Sequence, residues 1–403
     1  MITVAAAKRR RLPNRAAAMV LGMRLGLALV ALTGTAVGFS YANHAPVLPL
    51  LAAELGLSDF QLGLLTGGLA LAGMTAMSLA PPLADRGPKL LVGAGLAVVL
   101  ASNLLFAASP SFAGLLAAKT LNGLGGGAAF IGGVRYVSGL YGAARSHAGQ
   151  GLYGSGYPTG SAIALLVMPA LAIGAGWRGA FVLSSLAIAA VLVAWLVAPE
   201  VASRERGATA AAAMRCPNCW WTALQHAAGF GLSLAAASWI TTFLLREFGL
   251  PLELAGILGS LLLVMTLVSR IGGGVIASAG HRIGSLALMR VSQLAILAGI
   301  ALLAFPSRPL ALALLGVAVI GVGSGLPYAA VFNTAAASLP RAPGAAQGLT
   351  AAGGMASTLV GPPLMGYAVQ VWGFTAAWPI LGAVSLLALG ATAVMRGEEE
   401  LTP

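Results

Sequence analysis

Apolar runs of about 18 to 25 residues recur along the chain and are separated by short polar breaks. Each run is long enough to cross about 30 Å of hydrocarbon as an α-helix. A backbone inside a bilayer must satisfy its own hydrogen bonds, and these runs lack the alternation of a membrane β-barrel strand. The composition agrees, because 59% of the residues are hydrophobic, 8% are charged and the mean hydropathy is +0.92. We therefore predict an all-α membrane protein.

Twelve spans can be drawn on the sequence. They lie near residues 25–50, 59–81, 90–108, 112–134, 146–173, 179–198, 220–245, 252–276, 285–305, 309–331, 345–370 and 375–395. The basic N-terminal start resembles a secretory signal, but the apolar stretch after it is too long, so we interpret it as an uncleaved first span.

Charge predicts the orientation of the spans. Outside them, only Arg178, Arg246 and Arg308 fall on one side of the membrane, and the other basic residues, from the Lys8–Arg11 cluster to Arg396, fall on the other. An excess of Lys and Arg marks cytoplasmic loops, so both termini are predicted to be cytoplasmic in a bacterial inner membrane. The net charge of +12 is dispersed among alternate loops, which argues against nucleic acid as a partner.

An internal repeat divides the chain into two halves. One constant offset aligns the loop from Pro81 with the loop from Gly274, and a slightly longer offset aligns span 5 with span 11. The residues that match are Glu54, Gly56, Leu57, Gly63 and Leu65 with Glu247, Gly249, Leu250, Gly256 and Leu258, and Gln150, Gly151, Leu152 and Gly156 with Gln347, Gly348, Leu349 and Gly353.

Two pseudo-symmetric six-helix bundles follow from the repeat. We predict a basic N-terminal segment (1–24), a first bundle (25–198), a cytoplasmic linker (199–219), a second bundle (220–395) and a cytoplasmic tail (396–403). Each half has an even number of spans, so the halves have the same orientation and are related by an axis along the membrane normal.

Four motifs resemble those of the major facilitator superfamily. They are LADRGPK from Leu83 after span 2, AAKTLNGLGGG from Ala117 in span 4, GWRGAF from Gly176 before span 6, and VGPPLMGYAVQVWGF from Val360 in span 11. The loop motif is one residue short and has Pro81 in place of its first glycine, and Lys119 stands where an arginine is usual. The resemblance implies a carrier of small molecules whose two bundles rock about a central site, in alternating access.

The same resemblance implies a gate at the cytoplasmic mouth. Asp85, Arg86 and Lys89 belong to the loop motif and are expected to form a latch between helices that holds the outward-facing state. Ser278 and Ala279 replace the Asp85–Arg86 pair in the second half, so the latch is one-sided. The alternative is that Arg86 and Lys89 only enforce topology.

Ionisable residues inside the spans are the strongest candidates for a binding site, because a charge in hydrocarbon is costly and usually faces a cavity. They are Lys119 in span 4, Arg270 in span 8, His44 in span 1 and His226 near the start of span 7. All ten acidic residues lie in loops, tails or at span ends. The interior is therefore cationic, which favours an anion or a carboxylate-bearing substrate over a cationic drug.

We predict that Lys119 attracts this anion, with His44 as a proton-sensitive partner at similar depth. Arg270, in SRIGGG, resembles the helix-eight arginine of the nitrate and nitrite carriers, although span 2 lacks the arginine of those carriers and span 5 reads YGSGYPTG. The alternatives are a packing contact for Lys119, a snorkelling anchor for Arg270 and a hydrogen-bonded core residue for His44. Further polar or aromatic candidates are Tyr41, Asn43, Asn122, Trp239, Thr241, Thr242 and Tyr328.

Other classes of protein fit less well. Two cysteines and four histidines supply no catalytic cluster, and Cys216 and Cys219 form a lone pair too small for a zinc site, so we predict no enzyme, no metal and no cofactor. A sensor or scaffold would need a soluble output domain, which we do not expect. We expect a monomer in the lipid bilayer. Export of apolar drugs or sugars is the rival within transport, and coupling to a proton or another ion gradient stays open.

Overall fold

The computed structural model describes residues 12–141, 147–201, 210–278 and 283–401. Within these ranges the chain is helical and contains no β-strand, which confirms the all-α prediction. The Lys8–Arg11 cluster, Arg145, Arg282 and Ala279 lie outside the described residues.

The long helices, labelled α1 to α12, run along the chain in the order of the predicted spans. Helices α1 to α4 are Leu12–Ala42, Asp59–Leu79, Pro88–Ala108 and Phe112–Tyr141. Helices α5 and α6 share the stretch His147–Leu196, and α11 and α12 share Pro343–Ala391. Helix α7 covers Pro217–Phe248 with a π-helical turn at Ala227–Gly231, and α8 to α10 are Leu252–Ser278, Ser285–Ala304 and Leu310–Ser338, the last with a break after Gly325.

The described residues contain nine stretches that are long and apolar enough to cross a membrane. Two of these stretches are 48 and 49 residues long, at least twice what one crossing needs. The stretch Phe112–Tyr141, which carries Lys119, is not among the nine. The predicted count of twelve is therefore reached only when α4 is added and each of the two long stretches is counted as two crossings.

Each long stretch reverses direction at a glycine. Gly176 has φ 68° and ψ 165°, and Gly373 has φ 77° and ψ 174°, which lie outside helical geometry. Neighbouring contacts show the reversal around Gly176. Helix α5 runs parallel to α1, since Gly156 approaches Ala31 and Gly160 approaches Thr35.

Helix α6 runs the opposite way. It is antiparallel to α3, because Phe181 stacks on Phe106 and Trp195 donates to the carbonyl of Lys89. Helix α3 is in turn antiparallel to α4, since Gly95 approaches Ala129 and Gly132 approaches Val92.

The backbone repeats between the halves as the sequence predicts. Gly56 ends a short helix after α1 with φ 64°, and its counterpart Gly249 ends α7 with φ 63°. Gly176 and Gly373 correspond in the same way. The reversal before the last helix of each half is thus built alike, which supports the pseudo-symmetric arrangement.

The halves meet along two pairs of helices, α2 with α11 and α5 with α8. Small residues permit the close approach. A side chain on Gly63 would collide with the backbone of Pro362, and a side chain on Gly256 would collide with Pro169. The two halves are therefore closely packed at both interfaces.

The C-terminal tail folds back on the second half. Glu399 accepts hydrogen bonds from the Ser285 amide at 3.0 Å and from its hydroxyl at 2.7 Å, at the start of α9. Burial raises the pKa of the Glu399 carboxyl, but hydrogen bonds from Ser285 and nearby amides outweigh burial and leave the pKa lowered.

Replacing Gly176 by alanine tests the reversal. We expect Gly176→Ala to lower the free energy of unfolding by about 1 to 3 kcal/mol, because only glycine adopts this backbone conformation without strain. A Cβ atom would meet nothing within 4 Å at either Gly176 or Gly174, and only Gly176 has a positive φ. Gly174→Ala is therefore a matched control, because it adds the same methyl group without backbone strain. Thermal unfolding in detergent compares the two, and an equal effect of both variants would contradict the assignment.

Candidate functional site

The helices end at two opposite ends of the molecule, an outer end and an inner end. The outer end carries residues 43–58, Gly176, 246–251, 305–309 and Gly373, and the charge bias predicts that it faces the periplasm. The inner end is the opposite end, with Asp85, residues 210–216 and the tail.

An ion pair joins the halves at the outer end. Asp59 at the start of α2 accepts two hydrogen bonds from Arg246 near the end of α7, each 2.8 Å long. This bidentate pair was missed from the sequence. The sequence held one sign of it, because Arg246 is among the few basic residues predicted on that side of the membrane. Its acidic partner could not be identified until the relative position of the two halves was known.

A hydrogen-bonded chain also crosses between the halves below this ion pair. His44 Nε2 lies 2.8 Å from the Thr66 hydroxyl, which lies 3.4 Å from the hydroxyl of Ser238 on α7. All three side chains are buried. His44 Nδ1 is buried without a hydrogen-bond partner among the described residues. His44 therefore connects α1 to the interface, and its role as a proton-sensitive residue stays a prediction.

Lys119 lies in the interior of the first half. Its ammonium donates to the Ser40 carbonyl at 2.9 Å and to Asn43 Oδ1 at 2.7 Å. The rings of Phe106 and Phe181 lie 5.3 Å and 5.7 Å from the Nζ atom. The side chain is 1% exposed. These contacts give Lys119 a structural role between α1, α3, α4 and α6, and its role in binding a substrate stays a prediction.

Asn43 and Asn122 belong to the same network. Asn122 donates to the hydroxyls of Ser40 at 2.6 Å and Ser102 at 2.9 Å, and Asn43 donates to Asn103 at 2.8 Å. Asn103 in turn donates to the hydroxyls of Ser184 and Ser185 on α6. Two of the predicted site residues are thus held by hydroxyls and amides that the sequence did not single out.

Arg270 and Tyr328, both predicted from the sequence, are brought together in the second half. The guanidinium carbon of Arg270 lies 3.8 Å from the centre of the Tyr328 ring and 5.8 Å from that of Phe230. His226 stacks on Phe230 and also contacts Tyr328 and Phe332. We call His226, Phe230, Tyr328 and Phe332 the aromatic box.

Two nitrogen atoms of Arg270 lack a partner within the described ranges. Nε and Nη2 are buried and make no hydrogen bond with any described residue. These two N–H groups point along the same edge of the guanidinium, the edge that binds a carboxylate bidentately. Burying such donors unpaired is costly. Arg270 therefore has two hydrogen-bond donors inside the protein that the described residues leave unpaired.

The aromatic box lies beside the first half. The Tyr328 hydroxyl is 3.5 Å from the point where a side chain on Gly154 of α5 would begin. Phe230 packs against a buried cluster that includes Tyr41 and Tyr157 of the first half. The Tyr41 hydroxyl is itself buried without a partner in the described ranges. Arg270 and Tyr41 therefore flank the region where the halves meet.

The remaining candidates pack inside the second half. Trp239 donates to the Pro362 carbonyl at 3.0 Å and contacts Phe374. Thr241 and Thr242 are buried, and no described residue bonds to their hydroxyls. The structure does not bring these three side chains to Arg270 through any described contact.

The predicted gating residues pair within the first half. Asp85 lies 3.1 Å from Arg135 of α4, and Lys89 lies 3.0 Å from Glu200. Arg86 is exposed. The Asp85 contact joins two helices at the inner end, as a latch would, but the gating role itself stays a prediction.

The potential metal ligands are scattered in the part of the chain that the structure covers. No group of three or more potential ligands occurs there, and Cys216 and Cys219 are free thiols.

Breaking the ion pair at the outer end should loosen that end. We expect Asp59→Asn to raise the ratio of outward-open to closed molecules roughly fivefold, because a well-formed, partly exposed ion pair contributes about 1 kcal/mol. The exchange Asp59→Arg with Arg246→Asp should restore the closed population.

Spin labels on Phe60→Cys and Leu254→Cys, which are exposed on opposite halves, report the opening as a distance distribution. The control is Glu54→Gln, which breaks a contact with Arg178 inside the first half. A shift of equal size in the control would show that opening does not depend on the Asp59–Arg246 pair.

Comparisons with known proteins agree with this architecture. The family model of the Major Facilitator Superfamily matches residues 30–350. The probable nitrate/nitrite antiporter NarK1 of Thermus thermophilus is 27% identical over 358 residues, covering 79% of each chain. The quinolone resistance protein NorA of Staphylococcus aureus is 35% identical, but over 83 residues, or 20% of this chain and 21% of NorA.

Solved structures share the fold. A bacterial homolog of the human lysosomal transporter Spinster, in an inward-facing and occupied conformation, has a TM-score of 0.73 at 19% identity, covering 91% of this chain and 95% of that one. The nucleoside transporter NupG has a TM-score of 0.75 at 14% identity, covering 93% and 99%. The family match extends over most of the chain, and the protein therefore belongs to the major facilitator superfamily, as a multi-pass membrane protein.

Proposed function

We propose that the protein is a secondary active transporter that moves a small anion, favoured as a carboxylate-bearing compound, across the bacterial inner membrane by alternating access. The two buried, unpaired donors of Arg270 carry this proposal. A planar anion would satisfy both donors at once, and charge-assisted bidentate contacts of this kind are among the strongest hydrogen bonds in proteins.

The distribution of charge supports an anion. Within the described residues, the acidic side chains lie at helix ends or in connections, as Glu54, Asp59, Asp85 and Glu247 illustrate. The buried ionisable side chains away from the two ends of the molecule include Lys119, Arg270 and His226, and His44 is buried just after α1. A cation placed between the halves would thus meet positive or neutral groups, whereas an anion would meet partners.

Alternating access is supported by the contacts across the outer end. Asp59 with Arg246, and Thr66 with Ser238, hold the halves together in this conformation. Opening this end requires these contacts to break, and the partners lie on helices that belong to different halves. Pairs inside the first half, such as Glu54 with Arg178, need not change in the same motion.

The relatives differ in what their names say they carry. One is a probable nitrate/nitrite antiporter and another is a quinolone resistance protein. An anion carrier agrees with the first, which matches over most of the chain. The alternative is the efflux of drugs or sugars. A more remote alternative is a transporter-like sensor or scaffold. Binding of carboxylates distinguishes an anion carrier from both.

Substituting Arg270 tests the proposal. We expect purified protein to be stabilised by carboxylates in a thermal-shift panel that also contains nitrate, sugars and cationic drugs. Arg270→Lys should weaken carboxylate binding at least tenfold, because lysine keeps the charge and loses the planar pair of donors worth about 1.5 to 3 kcal/mol. Arg290→Lys is the matched control, since Arg290 donates to Thr392 at the inner end. Stabilisation by neutral or cationic compounds alone would contradict the proposal.

The same panel checks the prediction made for Lys119. A folded Lys119→Ala variant that binds the anion as tightly as the original protein would contradict a role in binding substrate and would leave Lys119 as part of the network with Asn43.

A further inference from the structure

We infer that the substrate carries an aromatic ring as well as a carboxylate. The inference rests on the proposed function, because it concerns the same site and uses Arg270 as the anchor of the acid group.

The first observation is how the Arg270 side chain is placed. The Tyr328 ring lies against the guanidinium at 3.8 Å, close enough to cover its face. The donors that remain unpaired, Nε and Nη2, lie on one edge of the same plane. A carboxylate held on this edge would direct the rest of the substrate away from the guanidinium, and the rings found nearest to Arg270 are those of Tyr328 and Phe230.

The second observation is the aromatic box itself. Its rings meet at 5.1 Å and 3° for His226 with Phe230, at 5.0 Å and 83° for His226 with Phe332, and at 4.7 Å and 40° for Tyr328 with Phe332. Stacked and edge-to-face arrangements thus both occur within one group of side chains. Such a group offers another ring both a face and an edge.

The third observation comes from the first half. Phe130, Tyr153 and Tyr157 form a second aromatic group, with Phe130 stacked on Tyr153 and edge-on to Tyr157. Tyr41 joins it with its centre 6.1 Å from that of Tyr157. Phe230 of the aromatic box packs against this cluster. One ring of the aromatic box therefore packs on the buried cluster that holds the rings of the first half.

An aliphatic acid of the same size is the competing substrate. Burial of apolar area favours both kinds of molecule about equally. Only a ring gains the quadrupole interaction with Phe230 and its neighbours, which adds about 0.5 to 1.5 kcal/mol per aromatic pair, or roughly 2- to 10-fold in affinity. The comparison of benzoate with cyclohexanecarboxylate isolates this term, because the two share the acid group and nearly the same volume.

The experiment measures the affinity of the full-length protein in detergent for benzoate, cyclohexanecarboxylate and benzyl alcohol by calorimetry. We expect benzoate to bind roughly 2- to 10-fold more tightly than cyclohexanecarboxylate, and benzyl alcohol, which lacks the acid, to bind at least tenfold more weakly than benzoate. Phe230→Leu should abolish the preference for benzoate, whereas Phe230→Trp, which keeps a ring, should retain it. The comparison in the unsubstituted protein does not depend on the folding of either variant.

The outcomes separate the inference from the proposed function. Equal binding of benzoate and cyclohexanecarboxylate, each lost in Arg270→Gln, would overturn the aromatic preference and leave the anion carrier intact. A benzoate preference that persists in Phe230→Leu would also overturn the inference. Binding of benzyl alcohol as tight as that of benzoate, or no binding of any acid or of nitrate, would overturn the proposed function together with the inference.

Discussion

The cost of placing a charged or polar group in hydrocarbon governs this structure. It forces the backbone into helices, moves the acidic residues to helix ends, and leaves each buried cation to find acceptors inside the protein. Lys119 and Arg270 differ in how many of their hydrogen-bond donors find acceptors in the protein. The ammonium of Lys119 has a carbonyl and an amide oxygen within 2.9 Å, whereas two donors of Arg270 have none among the described residues. Lys119 is thus satisfied by the protein, whereas Arg270 keeps two donors that a ligand would pair under the proposed function.

The same constraint explains where the halves can separate. Helices α2 and α11 approach closely through glycine and proline backbone, as at Gly63 and Pro362. Polar contacts across the halves, such as Asp59 with Arg246, stand at the outer end, where water can replace the lost partner. A contact of this kind can break at low cost, which suits the alternating access that we propose. The His44–Thr66–Ser238 chain lies deeper and adds a buried polar contact between the halves.

Much of the fold could be predicted from the sequence, because hydrophobic runs, charge bias and an internal repeat are local or additive signals. The all-helical fold and the family were confirmed on this basis. Contacts between distant residues could not be predicted in the same way. Asp59 and Arg246 are 187 residues apart, and Arg270 and Tyr328 were named without a signal that one stacks on the other. Helical periodicity says which face of a helix is apolar, but it does not say which neighbour that face meets.

The two halves are alike at the outer end and differ in their interiors. At the outer end they are built alike, with Glu54 bonded to Arg178 and Trp177, and its counterpart Glu247 bonded to Arg308, which also reaches Thr375.

The interiors of the halves differ. The ammonium of the buried lysine in the first half donates to a backbone carbonyl and an amide oxygen, whereas the arginine in the second half lies against a tyrosine ring with two donors that no described residue pairs. If both interiors served only packing, a duplicated scaffold would have no physical need for two chemistries of buried cation. Under the proposed function, the second half supplies the group that binds the substrate, and Lys119 serves the framework of the first half. Selectivity would then lie in the second bundle, while the outer ends of both bundles keep the same geometry.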